Sequence, residues 1–169
     1  MVETAPYEEI RRIDKVEIRE YPAIILATVR GNRNPFRLLF QYISGNNRSN
    51  RKISMTTPVI TPEKIEMTSP VINREDAMSF VLPSKYTIET APIPSDEKVT
   101  IEELPPRKVA AIRFRGYARN NNIEKHTAEL LEILGKEGIQ VKGTPIIMRY
   151  NAPYTPGFMR RNEVAVEID

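Results

Sequence analysis

His126 is the single histidine of the chain, and there is no cysteine. Thiolate metal sites, Cys nucleophiles and multi-histidine metal centres are therefore excluded, and a Ser-His-Asp arrangement would have one imidazole to draw on. On a helical wheel His126 falls between Ile133 and Leu130, inside an apolar arc, so its ring is expected to be partly buried. A boundary histidine with a satisfied ring nitrogen, an axial ligand and a general base all remain open for it. The carboxylates form no obvious pair. Glu8-Glu9 and Glu102-Glu103 are neighbours that point to opposite faces of a strand. Glu20 and Glu103 occupy related places and could meet near an internal axis, or sit solvated at strand ends. Glu163 follows Arg160-Arg161 and is expected to pair with one of them. Neither a glycine-rich phosphate loop nor a nucleophile elbow occurs. The densest unusual stretch is 149–163, which holds Tyr150, Tyr154, Phe158, Pro153, Pro156 and three arginines. Aromatic and arginine side chains together suit a planar, anionic, apolar ligand, and equally a loop strapped over a core, in which case Phe158 and Met159 should bury against the barrel.

Two helices must position these groups. Asn34 is an N-cap, Pro35 suits the first helical position and Gly45 ends the run. At 100° per residue, Phe36, Leu38, Leu39, Phe40, Tyr42 and Ile43 sweep roughly 200°, twice the stripe a surface helix needs. This helix, 34–45, packs on two sides or lines an apolar groove. A second helix is expected from about Asn122 to Leu134, stopped by Gly135 and Gly138. Its inner face carries Ile123, Leu130, Ile133 and Leu134.

The strands come in repeats. Val16-Glu-Ile18-Arg-Glu20-Tyr-Pro22 returns as Val99-Thr-Ile101-Glu-Glu103-Leu-Pro105. Each continues through an apolar stretch to Arg-Gly, at Arg30-Gly31 and Arg115-Gly116, then to a helix. Thr57-Pro58-Val59-Ile60 returns as Thr144-Pro145-Ile146-Ile147. Within the first half, KISMTTPVI at 52–60 is echoed by KIEMTSPVI at 64–72, and their alternation predicts strands. Pro58 and Pro70 cannot donate to a ladder and belong at edges or bulges, with Pro62 in the connection. Further strands are expected at 78–82, 108–114, 146–150 and 163–168. The reading is one domain over 1–169, with pseudo-symmetric halves of about 7–90 and 97–169 joined by the proline-rich segment 91–96.

Composition agrees with a globular chain. The 169 residues are 40% hydrophobic and 28% charged, with 25 Lys+Arg against 22 Asp+Glu. The excess of +3 is mild and the basic residues are spread out, so nucleic-acid binding is not expected. The acidic N-terminal residues lack an apolar leader core, and no apolar run reaches ~18 residues. A cytoplasmic monomer that meets no membrane is the expectation.

VEIREY at 16–21, FRLLFQYISG at 36–45, the two TPVI/SPVI segments, Gly116-Tyr117 and TPGFMRRNEV at 155–164 together resemble the SOUL haem-binding protein family. The resemblance runs from about Tyr7 to Ile168. It implies an α+β fold in which two pseudo-symmetric β-α-β-β repeats form a twisted antiparallel barrel-like sheet flanked by two helices. It also implies a tetrapyrrole such as haem, held without catalysis in an apolar groove beside the first helix. Arg33, Phe36, Arg37, Phe40, Tyr42, Phe158 and Met159 are the expected binding residues, with Lys52 a further basic candidate. Where one branch of the family has a histidine proposed as haem ligand, this chain has Glu20. Where another has a lysine before the tyrosine of the first helix, it has Gln41. The architecture is also similar to the GyrI-like class, whose members bind small molecules in a cleft at the internal axis. That similarity implies effector sensing or hydrolysis as the alternative. Glu20 or Glu163 would then hold an apolar cation.

Overall fold

The computed structural model describes residues 3–49, 62–151 and 155–169. The segment KISMTTPVI with Lys52 and Pro58, and the loop residues Pro153 and Tyr154, lie outside the described residues. The first half of the chain carries β1 (Glu3–Thr4), β2 (Glu8–Ile13), β3 (Val16–Tyr21), β4 (Ile24–Arg30), α1 (Pro35–Ile43), β5 (Asn47–Arg48), β6 (Thr68–Arg74) and β7 (Ala77–Val81). The second carries β8 (Ile93–Pro94), β9 (Val99–Leu104), β10 (Arg107–Arg115), α2 (Asn120–Lys136), β11 (Ile146–Arg149), a 3-10 turn at Gly157–Met159 and β12 (Arg161–Ile168).

Ten of these strands form one curled, antiparallel half-barrel sheet, in the order β2-β3-β10-β12-β11-β6-β7-β4-β9. Short β1 adds to β6 in parallel. Apart from β2, the order is a palindrome. Exchanging β3 for β9, β4 for β10, β6 for β11 and β7 for β12 returns the same sheet, centred on the β6–β11 pair. In this order two strands precede each helix, β3 and β4 before α1 and β9 and β10 before α2. The first strand of each half pairs with the second strand of the other, β3 with β10 and β9 with β4. The proline-rich joint at 91–96 contributes β8, which pairs with β5 in a two-stranded ribbon.

Alternation along the strands divides the core. Ile25, Ala27 and Val29 face α1 together with Phe80, Leu82 and Val99. Val16, Ile18, Ala110, Ile112 and Val164 face α2. The opposite face of the same strands holds Tyr21, Leu26, Ile72, Val109, Ala111, Met148 and Ala165. Both helices end in the same way. Gly45 (φ 127°) and Gly138 (φ 69°) turn the chain into a conformation that glycine alone enters freely. Behind them Asn46 N–H donates to Gln41 O at 2.9 Å, and Ile139 N–H to Leu134 O at 3.0 Å. Gly135, expected as a stop, lies inside α2, because Leu134 is fully buried and the helical bonding continues to Glu137.

The 64–72 strand begins only at Thr68. Ile65 N–H instead donates to Ile43 O at 2.7 Å, which ties this segment to the end of α1. Buried Asn47 completes the fastening, donating to Tyr42 O at 2.6 Å and Glu63 O at 2.7 Å. Pro70 sits where the β6–β7 register shifts, between Thr68 and Val71, at a bulge that tolerates its missing N–H.

Candidate functional site

Helix α1 begins where Asn34 Oδ1 accepts from Arg37 N–H at 3.3 Å, with Pro35 next. Its inner side is closed: Leu39, Tyr42 and Ile43 are buried. The Tyr42 hydroxyl donates to Pro92 O at 2.7 Å, and burial holds this phenol well above its ordinary pKa. The other side is open. Phe36 and Phe40 stack with ring centroids 6.1 Å apart and an interplanar angle of 14°. Phe36 also meets the edge of buried Phe80 at 5.4 Å. Yet Phe36 is 36% and Phe40 51% exposed. Arg33, just before the N-cap, and Arg37, in the first turn, are both exposed at the N-terminal end of the same helix. The wide apolar arc thus divides into a packed side and a solvent-facing aromatic side.

Tyr42 belongs to the packed side and supports the helix from beneath. Phe158 and Met159 lie elsewhere. Helix α1 packs against β4, β7 and β9, whereas the 3-10 turn packs against β10. The sequence argument that these two side chains bury against the barrel is overturned, since Phe158 is 78% and Met159 52% exposed. The loop is fastened by other means. Gly157 lies against Tyr117 so closely that a Cβ there would be 2.3 Å from the ring. Gly116 N–H donates to Arg160 O at 3.0 Å, and the Asn162 amide to Gly116 O at 2.7 Å. With the inward position taken by a glycine, its two apolar neighbours point away.

His126 is a boundary histidine. Its ring stacks on Phe114 with centroids 4.5 Å apart, and Nδ1 donates to Asn122 O at 2.7 Å. Among the described residues, no three His, Asp or Glu side chains are grouped to hold a metal ion. Glu20 and Glu103 do not form a central pair: both are exposed, on β3 and β9 near opposite ends of the sheet order.

A charged cluster on the α-free face escaped the sequence argument. Arg19 and Glu163 form a fully buried ion pair. Arg19 Nη1 donates to Glu163 Oε1 at 2.8 Å, and Nη2 donates both to Glu163 Oε2 and, at 2.5 Å, to Glu17. The Tyr150 hydroxyl donates to the same Glu163 carboxylate. Arg161, the partner expected for Glu163, stands at 3.6 Å. Tyr7 lies over the Arg19 guanidinium at 4.2 Å. Burial pushes the Glu163 pKa up, but the Arg19 hydrogen bonds and charge, with the Tyr150 hydrogen bond, outweigh it and hold the carboxyl below its usual range. The only signal in the sequence was the placement of Glu17 and Arg19 between Val16, Ile18 and Tyr21, in a strand with two buried faces.

Heme-binding protein 1 of Xenopus laevis is 28% identical over 126 residues, a match that takes in 75% of this chain and 65% of the frog protein. Heme-binding protein 1 of Sus scrofa is 27% identical, over 96% of this chain and 91% of the pig protein. Among solved structures, the EcmrR C-terminal domain superposes with a TM-score of 0.57 at 10% identity, covering 96% of this chain and 98% of that one. A hydrolase from Listeria innocua superposes with 0.59 at 9% identity, covering 95% and 94%. These two likenesses concern the fold alone. Residues 2–167 match the model of the SOUL heme-binding protein family, and the chain belongs to that family.

Proposed function

We propose that the protein is a non-enzymatic tetrapyrrole-binding protein that takes a porphyrin plane against Phe36 and Phe40, with its propionates at Arg33 and Arg37. The observation that carries this reading is the stacked, solvent-facing aromatic pair, with Phe36 braced on Phe80. An exposed apolar step of this kind, beside two exposed cations, suits a flat apolar molecule with an anionic edge. Covering a few hundred Å² at about 25 cal/mol per Å² would supply several kcal/mol before the costs of association. The family membership and the name of the frog and pig relatives point to the same ligand class.

The residues fit haem by burial and charge. The one imidazole lies on α2 and is engaged with Phe114 and Asn122. The reading therefore assigns no axial histidine, and Tyr42 enters only as support for the helix. It also takes the protein as a monomer that meets neither membrane nor nucleic acid. Among the described residues, no helix is long and apolar enough to cross a membrane.

The alternative, an apolar cation held by Glu163, has less support, because Arg19 already neutralises that carboxylate. Titration with haem and with metal-free protoporphyrin tests the proposal. A saturable 1:1 change, weakened at least tenfold in the Phe36→Ala/Phe40→Ala double variant and not in Leu131→Ala on α2, is expected. No saturable change, or equal binding by the two variants, would overturn it.

A further inference from the structure

On the α-free face, a cleft of about 220 Å³ opens beside the central strand pair. Its apolar lining includes Leu26, Ile72, Leu104, Val109 and Ile146, from β4, β6, β9, β10 and β11, so both halves of the chain build it. The repeated motif Thr144-Pro145-Ile146-Ile147, which the porphyrin reading leaves unused, supplies one wall. Two arginines line the same cleft, Arg74 and Arg107.

Both guanidiniums are held in place. Arg74 Nη2 donates to Ser79 Oγ at 2.8 Å and Thr28 Oγ1 at 3.3 Å. Arg107 lies over the Tyr21 ring at 5.0 Å. Neither is fully satisfied: Arg74 Nε and Arg107 Nη1 are buried without a hydrogen-bond partner among the described residues. Buried donors on charged groups ordinarily have partners, and leaving them unmet is costly. Burial, above all, lowers the proton affinity of Arg107, and the Arg74 charge adds to it, while Tyr21 and Glu167 offset the effect only in part.

The remaining charges set the valence of a ligand. Glu167 lines the cleft and acts on Arg107. Glu102 stands 3.8 Å from Arg74 but is paired at 2.5 Å with Arg30. Two arginines against one uncommitted glutamate leave a single positive charge. We propose that this cleft binds a small monocarboxylate, its carboxylate accepting from Arg74 and Arg107 and its short hydrocarbon tail against Leu104, Val109 and Ile146. The planar fork of arginine matches a carboxylate, and the walls leave little room for a larger polar group.

The site is separate from the α1 aromatic step, so its test does not depend on porphyrin binding. Hexanoate and hexan-1-ol, which share a tail, are titrated into the methyl-labelled wild-type protein and followed by NMR. Saturable shifts of the Leu104, Val109 and Ile146 methyls are expected with hexanoate, and binding at least tenfold weaker with hexan-1-ol. Arg107→Gln should weaken hexanoate at least tenfold, and Glu167→Gln should tighten it a few-fold. Phe36→Ala/Phe40→Ala should leave it unchanged. If Arg107→Gln does not fold, the alcohol comparison and the exposed Glu167 variant decide. Equal binding of acid and alcohol, shifts confined to other methyls, or no saturable shift with hexanoate would overturn the proposal.

Discussion

Arg19 and Glu163 meet across an intervening strand. Arg19 is on β3, registered with Val109 of β10, and Glu163 is on β12, registered with Arg113 of β10. Between those two positions β10 presents Ala111 on the same face, and its methyl group leaves room for the guanidinium to cross. The pair thereby locks three strands on the face that no helix covers.

Removing one partner should be severe. Glu163→Gln leaves the buried guanidinium with Glu17 as its remaining carboxylate partner and removes the charge that faces both of its terminal nitrogens, and breaking a buried pair typically costs about 3–5 kcal/mol. For a chain of this size the Tm should fall by on the order of 10 °C. Arg19→Met/Glu163→Leu should recover much of that loss, because apolar replacement of a whole buried pair is often tolerated. Thermal melts of the single and double variants measure both effects, and a double variant no better than Glu163→Gln would contradict this account.

Acid should act through the same carboxylate. Glu163 binds its proton more weakly in the folded than in the unfolded chain. The unfolded state therefore takes up more protons, and stability rises with pH across that interval. The contribution is complete above the unfolded value of about 4.3 and is lost as pH falls through the lower folded value. Urea midpoints between pH 3 and 6 should drop steeply in the wild type and more shallowly in Arg19→Met/Glu163→Leu.

These relationships were unevenly legible in the sequence. The limits of α1 were written locally, in Asn34-Pro35 and Gly45, and the repeat of Val16–Pro22 in Val99–Pro105 marked equivalent strands. The division of α1 into a packed and an open side was not, because a 200° apolar arc does not say which part is covered. The Glu163 partner lies 144 residues away, behind two arginines adjacent in sequence. Phe158 and Met159 misled for a different reason: hydrophobicity favours burial, but the backbone fastening around Gly157 decides which way they point.

Gly157 should be irreplaceable where Phe158 is not. A Cβ at 157 would press into the Tyr117 ring, and overpacking of this kind costs typically ~1–3 kcal/mol. Gly157→Ala should lower the Tm by several degrees, whereas Phe158→Ser, at a side chain 78% exposed, should change stability by less than about 0.5 kcal/mol. The reverse order in thermal melts would restore the idea that Phe158 is a buried anchor.

Phe40 and Tyr42 should separate binding from stability. Tyr42→Phe removes a donor from a buried carbonyl and should cost about 1–3 kcal/mol while leaving porphyrin affinity within a few-fold. Phe40→Ala, at an exposed position, should do the opposite. Paired denaturation and porphyrin titration of the two variants would show it, and a loss of affinity in Tyr42→Phe as large as in Phe40→Ala would move the site to the packed side of the helix.

His126 provides the sharpest test of how a tetrapyrrole would be held. Its ring is stacked on Phe114, its Nδ1 hydrogen is committed to Asn122 O, and its helix packs against β10 and β12, away from the strands that carry α1. A ligand seated on Phe36 and Phe40 gains from covered apolar area and from Arg33 and Arg37, neither of which depends on a metal. His126→Ala should therefore leave haem affinity within a few-fold, and metal-free protoporphyrin should bind about as well as haem. The alanine variant should lose some stability through the missing Phe114 stack, so affinity is to be compared well below its Tm. If instead affinity falls by two powers of ten, or about 2.7 kcal/mol, and a low-spin six-coordinate spectrum of the wild type is lost in the alanine variant, His126 is an axial ligand and the site lies beside α2.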